Sequence, residues 1–550
     1  MIYPKIPLAQ SVIEICKAKA IRDIVISPGS RNAPLTIGFA SNIAFTCFSI
    51  ADERCAAFFA LGIAQQKRKP VALVCTSGSA LLNYYPAIAE AFYSQIPLVV
   101  ISADRPSSKI DIGDGQTIRQ ENVFANHILY TANLHEDASE ANDLKINEAI
   151  HVAVSQKGPV HINVPFEEPL YETVATLSVT PSIVTLCKEE KTLSGMHEAV
   201  SKWNAAKKKL ILIGVNYPNA IETGIINQLA ADGSVVVMTE TTSNVHHPNF
   251  ISSIDTLITP FTEEDFKAFQ PDILLTMGGM VVSKRIKAFL RKYQPAAHWH
   301  VDELRAYNTF GCLTQHFEVS PNTFFKELLN HSVNVDSDYF EQAEKIKKLR
   351  KEKHEQYQQS VPYSDFKVFG SVLPMLPKHS QLQISNSSPI RYAQLFPIDD
   401  SIEVFCNRGT SGIDGSTTTA IGAAYASEKQ NILITGDVSF FYDSNALWNH
   451  YIPKDFKIIV INNRGGGIFR ILPGHQETPV FNTFFETSHQ LTAEHLAKMY
   501  SFDYFTIHDD SELVDGMNAF LKADQPSILE IFTPTEVNDA VLKNYFKNLT

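Results

Sequence analysis

Short runs rich in Val and Ile alternate with helix-patterned segments along this chain, and that alternation constrains its fold more than any other feature. A strand that is apolar on both faces must be covered on both faces, which points to a parallel sheet flanked by helices. Up to about residue 180 the pattern predicts strands over 23–27, 71–76, 98–102 and 160–164, with helices over 55–66 and 80–94. A polar, Pro-containing stretch over 167–181 reads as a linker. A second alternating unit over 185–335 has its clearest strands at 210–213, 234–238, 273–277 and 298–302. Gly278-Gly279, after the third of these, reads as a simple turn. The charged segment 336–360 reads as a solvated linker helix, and a third unit over 361–550 carries strands at 382–385, 403–406, 432–435, 458–461 and 528–532. The expected architecture is α/β, with three mostly parallel-sheet domains over 1–180, 185–335 and 361–550.

The 550 residues are 44% hydrophobic and 19% charged, as in a water-soluble globular chain. A formal net charge of -12 argues against a nucleic-acid or anionic-membrane surface, while leaving room for a local cationic pocket. No charged-then-apolar leader pattern opens the sequence and no long apolar run suggests a membrane span, so a cytoplasmic location is expected. The seven cysteines, Cys16, Cys47, Cys55, Cys75, Cys187, Cys312 and Cys406, are scattered without a CxxC pair and read as buried or incidental thiols. His246-His247 and His298-Trp-His300 have no metal partners nearby in sequence and read as structural or surface histidines.

Two strand ends carry chemistry. Asn431-Ile-Leu-Ile-Thr-Gly-Asp437 places a hard carboxylate ligand just beyond a strand, where open parallel sheets bind ligands, and Gly436 is expected to permit a close turn there. Ile458-Ile-Val-Ile-Asn-Asn463 ends another strand, with an amide oxygen at Asn463 followed by Gly465-Gly466-Gly467. A carboxylate, an amide oxygen and a backbone carbonyl suit magnesium, with phosphate oxygens and water completing its shell. Either turn alone is an ordinary strand end; together they resemble the signature of the thiamine-diphosphate-binding superfamily. The resemblance implies that Asp437, Asn463 and the Gly465 carbonyl hold Mg2+, with Mn2+ as the alternative. Gly436 and Val438 would join the cofactor contacts, although Val438 stands where the wider superfamily often has glycine. Ile413, in Asn407-Arg-Gly-Thr-Ser-Gly-Ile-Asp-Gly415, is the candidate prop between the cofactor rings.

Glu53, in Ser49-Ile-Ala-Asp-Glu-Arg-Cys55, reads by itself as a helix-start residue. In the superfamily such a carboxylate binds N1′ of the aminopyrimidine and favours the imino tautomer that deprotonates C2; the cofactor carries the chemistry and the protein tunes it. The two halves of the site normally come from different subunits, which implies a homodimer, with a dimer of dimers as a larger form.

Six motifs narrow the family: Ser27-Pro-Gly-Ser-Arg-Asn-Ala-Pro34, Ala51-Asp-Glu-Arg54, Cys75-Thr-Ser-Gly-Ser-Ala80, Ile101-Ser-Ala-Asp-Arg-Pro106, the 407–415 loop, and Asn462-Asn-Arg-Gly-Gly-Gly-Ile-Phe469. Across essentially the whole chain they are similar to the menaquinone-pathway synthases that make 2-succinyl-5-enolpyruvyl-6-hydroxy-3-cyclohexene-1-carboxylate. The resemblance implies decarboxylation of 2-oxoglutarate and addition of the resulting succinic-semialdehyde carbanion to isochorismate, and a middle domain free of cofactor. Arginine forks suit such multiply carboxylated substrates. By resemblance, Ser30, Arg31, Arg105, Gln116, Lys284 and Arg285 belong to isochorismate, and Ser387, Arg391 and Arg408 to the carboxylate derived from 2-oxoglutarate, with Gly29 lining the first turn. Singly, Arg105, Arg391 or Lys284-Arg285 reads as surface or ion-pair residues, and Arg464 is either a substrate contact or a local structural residue. The rival readings are another 2-oxoacid-using enzyme of the superfamily, such as a decarboxylase or acetohydroxyacid synthase, and a catalytically silent metabolite-binding protein.

Overall fold

The computed structural model describes residues 2–185, 193–471 and 478–550. Three parallel sheets carry the chain. In the first, the strands lie side by side in the order Thr46–Ser49, Asp23–Ile26, Val71–Cys75, Leu98–Asp104, Val160–Pro165 and Tyr130–Asn133. The second runs Val235–Thr239, Lys209–Ile213, Ile273–Met277, Ala297–Val301 and Leu313–Phe317. The third runs Glu403–Phe405, Gln381–Ile384, Asn431–Gly436, Lys457–Asn462, Ser527–Phe532 and Asp503–Ile507. The pairing of Tyr3–Pro4 with Thr173–Val174 is antiparallel.

Every expected strand is present to within a residue or two, and besides the Tyr3–Pro4 pair four further ones sit at the edges of the three parallel sheets: Thr46–Ser49, Tyr130–Asn133, Leu313–Phe317 and Asp503–Ile507. An edge strand is wet along one side, so it lacks the continuous apolar run that marks a central one. The helix expected over 80–94 is two helices, Ser79–Asn83 and Tyr85–Ser94, because Pro86 has no N–H with which to continue the ladder. The helix Tyr339–Ser360 docks at both ends: Tyr339 and Ala343 enter the core beneath the middle sheet, while His354 donates or accepts at 2.8 Å with Tyr545 of the C-terminal helix.

The first and third sheets share one apolar core, which contains Val71, Leu73 and Val100 from one and Leu433, Ile458 and Val460 from the other. Between them lie the helices Glu53–Lys67 and Ser416–Ala426, in backbone contact. A Cβ at Gly62 would lie 2.2 Å from the Thr419 carbonyl oxygen, and one at Gly422 would lie 2.2 Å from that of Phe59. In the middle sheet the loops after Lys209–Ile213 and Ile273–Met277 close on each other: Gly279 N–H donates to the Val215 carbonyl at 2.7 Å. The glycines at 278–279 therefore let two turns meet rather than open a crevice for a nucleotide. Asn244 then pairs with Val404 in both directions, donating to its carbonyl at 2.9 Å and accepting from its N–H at 2.8 Å, which ties the middle sheet to the edge of the third.

Among the described residues the cysteines form no disulfide, and Cys16, Cys55, Cys75 and Cys406 are buried; Cys187 lies outside the described residues. Among the described residues no helix is long and apolar enough to cross a membrane. If the helix contact locks the two sheets together, Gly62→Val and Gly422→Val should each destabilise the chain by about 3 kcal/mol, read as a lower urea midpoint. Gly224→Ala, at a helical position with nothing within 4 Å, should leave that midpoint unchanged or slightly raised.

Candidate active site

Gly436 ends a strand and Asp437 opens the short helix that follows. The Gly436 backbone is ordinary, with φ -84, and an added Cβ would come no nearer than 3.8 Å to Pro389. The turn itself does not require glycine, contrary to expectation; the missing side chain leaves room above it. Asp437 is buried, with Oδ1 accepting from Val438 N–H at 2.7 Å and Oδ2 from Gly465 N–H at 3.0 Å. His489 Nε2 lies 3.3 Å from Asp437 Oδ2. Asn463 is also buried; its Nδ2 donates to Asp365 Oδ2 at 2.9 Å and its carbonyl accepts from Thr535 Oγ1 at 2.7 Å, while its Oδ1 is buried without a hydrogen-bond partner. The Gly465 carbonyl accepts from Gly467 N–H at 3.0 Å and keeps a second lone pair. One carboxylate, one unpartnered amide oxygen and one carbonyl fit a hard divalent cation. Ile413 adjoins this turn, its carbonyl held by Ser439 Oγ at 2.7 Å and its side chain half-buried. Arg464, by contrast, is exposed, at φ 66, with its carbonyl accepting from His489 N–H at 3.1 Å.

Glu53 opens the helix Glu53–Lys67 behind the Asp52 cap, which accepts from Cys55 N–H. It lines a pocket of about 560 Å³ with Ala51, Asp52, Arg54, Asn83, Asn445 and Trp448, and accepts from Asn83 Nδ2 at 3.4 Å. None of these residues belongs to the Asp437–Asn463 turn.

The remaining candidates fall into two groups. Ser30 and Arg31 follow Asp23–Ile26, and Arg105 and Gln116 follow Leu98–Asp104, two strands of the first sheet separated by Val71–Cys75. Arg31 is buried and held by the Phe166 carbonyl at 3.0 Å and by Glu168 at 3.2 Å. Arg105 pairs with Asp114 at 3.4 Å and keeps a buried Nε without a hydrogen-bond partner. Ser30 and Gln116 are exposed, and the Gln116 carbonyl accepts from Ser77 Oγ at 2.9 Å. In the second group, Arg408 is buried, donates to Asn386 Oδ1 at 2.6 Å and has a free Nε, and Arg391 donates to the carbonyl of Ser387 at 2.5 Å. Burial and the adjacent Arg408 charge both lower the Arg391 pKa, as where like cations await an anion. Ser387 has φ 73, outside the usual range for a residue with a side chain. Lys284 and Arg285 are exposed at the start of their helix, with the Arg285 guanidinium 4.7 Å from the Phe546 ring centre.

Residues 6–128 match the family described as thiamine pyrophosphate enzyme, N-terminal TPP binding domain, and residues 387–531 match its C-terminal TPP binding domain. Over the whole of both chains the protein is 69% identical to the 2-succinyl-5-enolpyruvyl-6-hydroxy-3-cyclohexene-1-carboxylate synthase of Flavobacterium psychrophilum and 67% identical to that of Flavobacterium johnsoniae. It is 53% identical to the synthase of Christiangramia forsetii over 99% of each chain. The chain belongs to the 2-succinyl-5-enolpyruvyl-6-hydroxy-3-cyclohexene-1-carboxylate synthase family. It is a thiamine-diphosphate-dependent enzyme.

In this synthase chain, buried carboxylates that the sequence did not single out organise the candidate residues. Glu90, from the first domain's helix, accepts from Gly409 N–H and Thr410 N–H, each at 2.7 Å, and so clamps the loop that carries Arg408 and Ile413. Glu240 accepts from the N–H groups of Val282 and Ser283, both at 2.7 Å, fixing the start of the Lys284 helix. Asp255 accepts from Ser283 Oγ and lies near both Arg285 and Arg391. Lys287 faces Glu240 and Arg408, and burial lowers its pKa. Among the described residues no group of three or more His, Cys, Asp or Glu is placed to hold a metal ion. His298 and His300 instead share the Thr276 hydroxyl at 2.9 and 2.8 Å.

Burial pushes the Glu240 carboxyl up from 4.5 to about 7. A folded pKa above the unfolded value gives a contribution to stability that is full below about 4.5 and lost as pH rises through about 7. Melting midpoints of the parent relative to Glu240→Gln should therefore fall between pH 5 and 8, and a constant difference would contradict the shift.

Proposed function

We propose that the chain joins 2-oxoglutarate to isochorismate with release of carbon dioxide, forming 2-succinyl-5-enolpyruvyl-6-hydroxy-3-cyclohexene-1-carboxylate in menaquinone biosynthesis. Its cofactors in this reading are thiamine diphosphate and Mg2+, with Mn2+ as a substitute. The observation that carries the reading is the buried, unpartnered Asn463 Oδ1 beside the Asp437 carboxylate. An acceptor left bare in the interior costs free energy unless a ligand meets it. Asp437, Asn463 and the Gly465 carbonyl hold the metal, and the open face of Gly436 with the Val438 backbone receives the diphosphate. Ile413 supports the cofactor rings. When bound, thiamine diphosphate supplies the nucleophilic carbon that takes up the 2-oxoacid and accepts the electron pair left on decarboxylation.

Glu53 holds the pyrimidine-side proton and sets the tautomer. Ser387, Arg391 and Arg408 orient the carboxylate that survives decarboxylation, because a partly buried guanidinium pair binds a carboxylate more strongly than it would in water. Ser30, Arg31, Arg105, Gln116, Lys284 and Arg285 receive the carboxylates of isochorismate. Three of them need local adjustment: Arg31 is already engaged with Glu168, Arg105 with Asp114, and Arg285 rests on Phe546. The Glu53 pocket and the metal turn share no residue within one chain. In this reading the working unit is a homodimer, or a dimer of dimers, in which each subunit supplies one half of a site, and its setting is the cytoplasm.

Purified protein with thiamine diphosphate and Mg2+ should consume isochorismate only when 2-oxoglutarate is present, followed by loss of isochorismate absorbance and release of carbon dioxide. No coupled product with cofactor bound would overturn the assignment, and rapid turnover of pyruvate alone would favour the decarboxylase or acetohydroxyacid synthase reading.

A further inference from the structure

Asp365 opens the helix Asp365–Val372, well before the metal turn in sequence, and lies buried against it. Its Oδ2 accepts from Asn463 Nδ2 at 2.9 Å and its Oδ1 from Thr533 Oγ1 at 2.5 Å, while its own N–H donates to Asn538 Oδ1 at 2.8 Å. Apart from Asn463, the residue is thus held at two points, Thr533 on its carboxylate and Asn538 on its backbone N–H. An amide side chain presents an oxygen at one corner and an NH2 at the other, and only the oxygen binds a cation. An ionised carboxylate accepts and never donates, so it selects the corner that faces it. We infer that Asp365 is a positioning residue that fixes the rotation of the Asn463 amide, so that Oδ1 rather than Nδ2 is turned toward the metal. The bare Oδ1 of Asn463 is the counterpart of that choice. Thr535 Oγ1 holds the Asn463 carbonyl at 2.7 Å, so the side chain turns on a fixed backbone.

This inference rests on the metal site proposed above, and the test separates the two. Mg2+ is titrated calorimetrically into protein saturated with thiamine diphosphate, with no turnover involved, and folding of each variant is checked by its melting midpoint before metal is added. Asp365→Leu should bind Mg2+ about tenfold more weakly, the scale of losing one charge-assisted hydrogen bond. Thr533→Val, which removes the other brace but leaves the Asn463 contact, should stay within about threefold of the parent. The exchange Asp365→Asn with Asn463→Asp reverses the donor and acceptor and still leaves an oxygen for the metal. It should recover affinity relative to Asn463→Asp alone, where two carboxylates face each other. That comparison decides the matter even if Asp365→Leu does not fold. Equal affinity in the exchanged pair and in Asn463→Asp, or metal loss in Thr533→Val matching that in Asp365→Leu, overturns the positioning role. If Asn463→Ala binds Mg2+ like the parent, the metal site itself is wrong and the inference falls with it.

Discussion

The contact on which the rest depends is the crossing of Glu53–Lys67 and Ser416–Ala426 at Gly62 and Gly422, where backbone meets backbone. Side chains larger than hydrogen at those positions would part the helices, and with them the first and third sheets that share one core. Because that crossing is fixed, the ends of the helices are fixed as well. Glu53 starts one of them, and the 407–415 loop with Ile413 leads into the other. Both parts of the candidate site are thereby held on a common frame.

Around that frame, buried carboxylates set the geometry of the candidate ligand-binding groups. Glu90 holds the Arg408 loop through backbone N–H groups, Glu240 holds the start of the Lys284 helix, and Asp365 holds Asn463. A buried carboxylate with every oxygen occupied is rigid, because each lost bond would leave an unpaired polar group in the interior. Arg391 is the opposite case: burial and the neighbouring Arg408 charge disfavour its cationic form, against the pull of Asp255. In the proposed reading the carboxylates supply order and the cations supply affinity for multiply charged acids.

Central strands were legible in the sequence because each is apolar on both faces, as in Val71–Cys75 and Lys457–Asn462. The edge strands Leu313–Phe317 and Asp503–Ile507 alternate or carry polar residues, so their pattern did not stand out. Asp437 and Asn463 were legible because each follows its strand directly. Asp365 was not, since it reaches Asn463 across 98 residues, and Glu90 reaches Gly409 across 319. Neither carboxylate stands in a local motif; only the folded chain makes them neighbours. The role of Gly436 was misread for a related reason: its backbone is ordinary, and its use lies in the space it leaves open.

The claim that Glu53 and the metal turn serve one site from two chains is tested most directly by complementation. Glu53→Gln and Asn463→Ala subunits, co-expressed with different tags and isolated through both, form heterodimers in which one site carries both lesions and the other carries neither. Each variant alone should be nearly inactive, and the heterodimer should recover about half of the parental turnover. A doubly tagged species as inactive as the two variants would contradict the shared site.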